Sequence, residues 1–209
     1  CDIDPLNDDA IYRDENGITI KATKSAEIGA YYDLDGISYL VVDYDLLSEM
    51  VRKGEDITKV VTTKITTLNF LFYKKFSFNQ DISTWDVSNV SSMRGIFSWA
   101  QSFNQNISAW DVSNVTDMSL MFIGAEYFNQ DISSWDVSNL TRMEGMFESA
   151  SSFNQDISYW DVSEVTDMGD MLASASSFED SVESTCSFES VRLFASSSIR
   201  SNSSSDTAS

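Results

Sequence analysis

The apolar positions of this chain recur every 25 residues. Phe-Asn-Gln begins at Phe78, Phe103, Phe128 and Phe153, and Phe178 keeps the spacing. Trp85, Trp110, Trp135 and Trp160 form a second column. Met93, Met118, Met143 and Met168 form a third, and Ala100, Ala125, Ala150 and Ala175 a fourth. Within one copy, Trp85 and Val87 alternate as on a strand, whereas Val90, Met93 and Phe97 follow at the spacing of one helical face. The pattern predicts a short strand near residues 82–87, a turn through Ser88 and Asn89, and a helical or 3-10 turn near 92–98. One such unit cannot bury its apolar face alone, but stacked copies share a continuous core. The predicted fold class is therefore a repeat solenoid. Parallel β-strands line one side, helical or 3-10 turns the other, and a small α+β cap covers the N-terminal end. Direct strand pairing would set the tryptophan column at about 4.8 Å per copy.

The regular copies occupy residues 78–177, and the array extends over 57–180. Ile57, Val60, Ile65, Leu68 and Phe72 stand 25 residues before Ile82, Trp85, Val90, Met93 and Phe97, as a degenerate first coil. Residues 17–56 read as the N-terminal cap: strands near 18–23 and 38–43, then a short helix from Leu46 to Lys53 stopped by Gly54. Residues 1–16 form an acidic tether. Residues 181–209 are a degenerate C-terminal cap and a serine-rich tail: Val182 and Leu193 keep their columns, but Thr185 stands where tryptophan is due.

Composition narrows the chemistry. Of 209 residues, 33 are acidic and 13 basic, giving a net charge of −20, which argues against a nucleic-acid partner. No histidine is present, and two cysteines suffice for neither a structural zinc site nor a disulfide framework. The eight glycines make no phosphate-binding loop. A two-carboxylate glycosidase is disfavoured, because the acidic residues recur with the period, as scaffold does. The chain reads as non-catalytic and without a cofactor.

Asp86, Asp111, Asp136 and Asp161 lie between inward Trp and Val and are expected to face outward. Carboxylates stacked about 5 Å apart repel by about 0.8 kcal/mol per neighbour in water. The preferred compensation is an Asx turn, each Asp accepting from the N–H groups of the following Ser and Asn. Calcium, which takes oxygen ligands, is the alternative. The candidate ligand face comprises Thr84, Asp86, Asp111, Ser134, Asp136, Tyr159 and Asp161. Aromatics outside the constant columns, Trp99 and Tyr127, join Tyr31 and Tyr32 as a candidate partner patch, and Phe70 and Tyr73 are grouped with Tyr31 and Tyr32 as an exposed apolar patch on the cap.

The motif Phe-Asn-Gln-Asp-Ile-Ser-x-Trp-Asp-Val-Ser-Asn-Val-x-x-Met resembles the BspA-like leucine-rich repeat surface proteins, and Ile-x-x-Trp-x-Val resembles the Leu-x-x-Leu-x-Leu segment of leucine-rich repeats. The likeness covers about residues 57–180, and the cap resembles segments preceding such arrays in Bacteroidota. A chain opening on Cys1, followed by an acidic run, resembles a bacterial lipoprotein whose first cysteine carries the acyl chains. The resemblance implies a cell-surface protein, lipid-anchored at Cys1 in the outer membrane and facing outward, that binds an extracellular or outer-membrane protein or a glycan in adhesion or recognition. The alternative is an accessory lipoprotein subunit of an outer-membrane complex.

Overall fold

The computed structural model describes residues 10–178; Cys1, the tether up to residue 9, and the degenerate cap and tail beyond Phe178 lie outside the described residues. The described residues open with an antiparallel hairpin, β1 (Ile11–Arg13) and β2 (Ile20–Ala22), so Ile11–Arg13, expected within the tether, is instead paired and packed as part of the cap. A three-stranded sheet follows. β3 (Tyr31–Leu34) pairs antiparallel with β4 (Ile37–Val41), and β4 pairs parallel with β5 (Val60–Val61). Between β4 and β5 runs α1 (Tyr44–Lys53). Asp43 caps its N-terminus by accepting from the Leu46 N–H at 2.9 Å. Gly54, at φ 74°, closes its C-terminus by donating to Met50 and Val51. The helix starts two residues before the periodicity predicts, with Tyr44 and Asp45 in its first turn and Tyr44 packed against the main core.

Alternation along β4 divides the cap between two cores. Leu40 and Val42 point into the main core with Leu47, Met50, Val51 and Val60. Tyr39 and Val41 face a smaller core with Ile11, Ile20, Ala22, Ala26 and Val61. The main core then runs without a break to Phe178.

From residue 57 to residue 178 the chain is a run of turns, stacked copy on copy. In the copy that starts at Phe78, reverse turns close at Ile82–Trp85, Val87–Val90, Met93–Ile96, Phe97–Ala100 and Ala100–Phe103, each with a C=O to N–H bond of 2.9–3.2 Å. The expected strand over 82–87 is absent from the regular copies. Trp85 and Val87 do both point inward, but the backbone between them is spent on two turns joined at Asp86. Only in the degenerate first coil does the corresponding segment pair laterally, as β5 on β4.

Lateral backbone pairing runs instead through the segment expected to be helical. Met93, Gly95, Phe97 and Trp99 donate to the carbonyls of Asp117, Ser119, Met121 and Ile123 at 2.7–3.0 Å. The same 24-residue offset repeats from Leu68, Met118 and Met143, and single parallel bridges join Thr67, Ser92, Asp117, Arg142 and Asp167. Helix is broken there by left-handed residues. Gly95 (φ 59°) and Trp99 (φ 59°) take the third position of successive turns, where a type II turn requires positive φ. A helix and this pair of turns both place Val90, Met93 and Phe97 inward, so the apolar spacing does not distinguish them.

The opposite side of each coil is tied by side chains. Each Trp Nε1–H of the column at 85, 110, 135 and 160 donates to the carbonyl of an isoleucine 28 residues earlier, as from Trp110 to Ile82 at 3.2 Å. Asn89, Asn114 and Asn139 donate to Thr63, Ser88 and Ser113. The Asn of Phe-Asn-Gln accepts from its counterpart's N–H one copy on, as Asn79 does from Asn104 at 2.9 Å. Copies stand farther apart here. Ring centroids in the column of Phe97 and Phe122 are 5.5 Å apart, against 6.3 Å for Trp85–Trp110 and 6.5 Å for Trp135–Trp160. The tight side of the stack is the turn ladder, not the tryptophan segment.

Candidate functional site

Two surfaces of the stack carry the residues singled out by sequence. The first is the side-chain-tied face. Asp86 is not on it: only 2% exposed, it accepts from Thr63 Oγ1 at 2.6 Å under the N-terminal hairpin. Its neighbour Thr84 is covered by the same hairpin, its carbonyl accepting from the Ile20 N–H at 2.9 Å. Cap contacts that cross more than 20 residues leave no trace in the repeat pattern, so the two looked equivalent to their counterparts. Asp111, Ser134, Asp136, Tyr159 and Asp161 are exposed.

The carboxylates of this column are held by their own turns. Asp86, Asp111, Asp136 and Asp161 each accept through Oδ1 from the N–H of the serine two residues on, at 3.1 Å. In the first three the serine hydroxyl also bonds, at 2.6 Å. The asparagine N–H plays no part; its side chain reaches the previous copy instead. Asp81, Asn106, Asp131 and Asp156 repeat the motif five residues earlier. The serine hydrogen bonds hold Asp131, Asp136, Asp156 and Asp161 below the ordinary carboxylate range. Among the described residues no group of three or more acidic, Cys or His side chains is placed to hold a metal ion.

The second surface is the edge beside the turn ladder. Phe70, Tyr73, Phe76, Trp99 and Tyr127 are all exposed here, Tyr127 by 62%. Phe70 and Tyr73 meet edge to face at 6.0 Å, and Lys74 Nζ sits 5.0 Å above the Tyr73 ring. Large side chains survive at left-handed positions because glycine stands one copy on. Phe70 lies over Gly95, and a Cβ on Gly124 would stand 2.6 Å from the Trp99 ring. Phe70 and Tyr73 thus belong to the first coil rather than the cap, on the same edge as Trp99 and Tyr127. Phe76 was missed by the sequence reading, although it too stands outside the constant columns. Tyr31 and Tyr32 lie elsewhere, on β3. Tyr31 is 68% exposed, whereas Tyr32 is half-buried, its hydroxyl accepting from the Glu27 N–H at 3.0 Å.

Residues 78–177 carry 14 acidic and two basic residues, Arg94 and Arg142. Arg142 grips the buried Asp117 through Nε and Nη2 at 3.2 and 3.0 Å, and the Ser119 N–H adds a third bond. These bonds outweigh burial and keep the Asp117 carboxyl below its usual range. Burial, with Asp170 and Glu144 alongside, pushes Glu148 up. A cleft of about 540 Å³ opens between the end of α1 and the first coils, lined by Arg52, Lys53, Lys75 and Asn79 among others. None of the predicted site residues line it. No helix among the described residues is long and apolar enough to cross a membrane.

No curated protein and no solved structure matches the chain. One family model matches twice, over residues 44–137 and 107–204. The two overlapping matches span the helix of the cap and every regular copy, as expected where one repeating unit fits in more than one register. The chain belongs to the family described as Mycoplasma protein of unknown function, DUF285.

Proposed function

We propose that this chain is a non-catalytic recognition protein of the cell surface, a leucine-rich-repeat-like solenoid that binds a protein or glycan in adhesion. The observation that carries the reading is the aromatic edge. Phe70, Tyr73, Phe76, Trp99 and Tyr127 stand exposed along one side of three successive copies, outside every column that builds the core. Exposed aromatic rows are costly to a free protein and common at recognition surfaces. The family match is consistent with a surface repeat protein and names no ligand. The carboxylate column is a weaker candidate for the contact, because Oδ1 of Asp111, Asp136 and Asp161 is already engaged by serine.

The test is a screen of the purified chain against glycans and matrix proteins, repeated with Trp99→Ala and Tyr127→Ala. Loss of a binding signal in both variants, with melting temperature unchanged, supports the reading. Binding that survives both variants but is lost in Asp111→Asn/Asp136→Asn would move the contact to the carboxylate face.

A second reading, an accessory subunit of an envelope complex, draws on the cap. Ile28, Tyr31 and Ile37 are exposed there, away from the aromatic edge. A stoichiometric partner that is recovered from native membranes and lost with Tyr31→Ser would favour it.

A further inference from the structure

The period breaks at one inward position. Ala100, Ala125, Ala150 and Ala175 are fully buried, and each closes a turn by donating to the residue three before it. The first coil carries Lys75 in that column. Its backbone repeats the alanine turn: the Lys75 N–H donates to Phe72 at 3.0 Å, as the Ala100 N–H does to Phe97 at 2.9 Å, and the Lys75 carbonyl accepts from Phe78. Only the side chain differs. It is half-buried, and its ammonium has no ion-pair or hydrogen-bond partner among the described residues. The phenylalanine column changes at the same place. Phe103, Phe128 and Phe153 are fully buried, whereas Phe78 is only partly so, with Lys53 in place of a ring one copy earlier. At this break lies the cleft of about 540 Å³, which Lys75 and Phe78 line together with Arg52, Lys53, Ser77 and Asn79. That volume falls within the range of small-ligand sites, roughly 300–1,000 Å³.

We infer that this cleft binds an acidic sugar, a ring bearing a carboxylate or sulfate, at the end of a glycan. Three cations border it. Arg52 Nη2 and Lys53 Nζ stand 3.8 and 2.9 Å from Glu49, and Glu55, the one acidic residue of the lining, is 3.8 Å from Lys53. Lys75 keeps its full charge for a ligand. A guanidinium and ammonium groups facing one cleft are the donors that a carboxylate or sulfate takes. Phe78 offers apolar surface to the C–H face of a sugar ring. Ser77 Oγ and Asn79 Nδ2, which make no hydrogen bond among the described residues, offer partners for its hydroxyls. The surrounding charge limits the ligand to a single acidic unit. Residues 52–75 carry six basic and two acidic residues, whereas residues 78–177 carry two basic and 14 acidic. An extended polyanion would be repelled along the stack; one charged unit on an otherwise neutral chain would not. The fold does not require lysine at residue 75, since alanine fills the same turn in four later copies. The carboxylates of the stack recur with the period, as scaffold does, but this cation departs from it and lies in a cleft. The exposed aromatics of the ladder edge do not line the cleft, and the inference does not depend on that edge being a contact surface.

Titration calorimetry of the full chain tests the assignment, with uronate-terminated and sulfate-terminated trisaccharides, each beside its neutral parent. An acidic trisaccharide is expected to bind, and its neutral parent to bind more weakly by about tenfold or more. Lys75→Ala gives the first coil the residue that the later copies carry. Its melting temperature is therefore expected to hold while affinity for the acidic trisaccharide falls by about tenfold or more. Arg52→Gln, on an exposed side chain, is expected to weaken the same binding. The inference is overturned if no acidic trisaccharide binds, or if binding survives both variants unchanged. Binding kept in Lys75→Ala but lost in Trp99→Ala would move the acidic sugar to the aromatic edge and overturn the cleft. Equal affinity for inorganic sulfate or a triglutamate peptide would make the cleft a general anion site and overturn the sugar.

Discussion

Replacing Trp110 by alanine tests how the stack is held. The indole is 3% exposed, 6.3 Å from Trp85 at an interplanar angle of 5° and 6.1 Å from Phe97. Truncating a large buried aromatic costs about 3–5 kcal/mol through lost transfer energy and the cavity left behind. The indole N–H bond to Ile82 is lost too, but that carbonyl also accepts from the Trp85 N–H at 3.2 Å. It is not orphaned, so the bond adds only about 1 kcal/mol. The sum is comparable with the lower end of an ordinary domain's stability, about 5–15 kcal/mol. Trp160 supplies the control. It makes the same bond, but it is 8% exposed beside the half-covered Val162 and Val165. Water and neighbours fill its site more easily, and Trp160→Ala is expected to cost about 2–3 kcal/mol. Urea denaturation followed by far-ultraviolet circular dichroism, with a shared slope, measures both. A cost under about 1 kcal/mol for Trp110→Ala, or an equal cost at Trp160, would refute this account of the core.

Gly124→Ala forces a Cβ to 2.6 Å from the Trp99 ring at φ 65°, and is expected to cost about 1–3 kcal/mol; a double-mutant cycle with Trp99→Ala should recover the steric part and leave the backbone part. Asp117→Ala strips the Arg142 fork and the Ser119 bond from a buried site and is expected to cost about 1–3 kcal/mol in the same denaturation assay. The carboxyls of Asp117, Asp131, Asp136, Asp156 and Asp161 titrate below their unfolded value of 3.8. Their contribution is therefore complete above that value and lost as pH falls through the depressed values; a melting temperature that does not fall from pH 4 to pH 2 would contradict this. Glu148 titrates above 4.5, so its charge opposes folding at neutral pH and protonation relieves it. Glu148→Gln is expected to raise the melting temperature at pH 7 and to have little effect at pH 4.

The period, the inward columns and the cap helix were legible because each rests on local spacing. The Asx reading of Asp111 and Asp136 followed from residue type alone, since a short carboxylate two residues before a serine has little else within reach. The position of the lateral pairing was not legible. Alternation at Trp85 and Val87 and the helical spacing of Val90, Met93 and Phe97 are both produced by a chain of tight turns. The only local sign of left-handed backbone, glycine, appears at residues 95, 124 and 145 but not at Phe70, Trp99 or Leu120. Those left-handed residues become intelligible only with the neighbouring copy in place, because three of the large side chains lie over a glycine there. The burial of Asp86 was hidden for the same reason: its partner Thr63 sits 23 positions away.

The division of labour between the two sides of the coil bears on where recognition can evolve. On the tryptophan side, copies are joined by indole, asparagine and glutamine side chains, so these three residue types are fixed by bonds to a neighbouring copy, and the Asp and Ser by bonds within their own turns. On the ladder side, the joining bonds are made by backbone N–H and C=O groups, which any residue supplies. The sequence follows that difference. The Asn-Gln and Trp-Asp-Val-Ser segments repeat almost without change, while the ladder positions carry Phe70, Gly95, Leu120, Gly145 and Asp170 in one column and Lys74, Trp99, Gly124, Ser149 and Ser174 in the next. Side chains on the ladder edge can therefore change without loosening the stack, subject to one steric rule: a large ring needs a small neighbour one copy on. A surface free to vary on a scaffold that is not is what a binding protein requires. It is on this edge that Phe70, Tyr73, Phe76, Trp99 and Tyr127 are exposed.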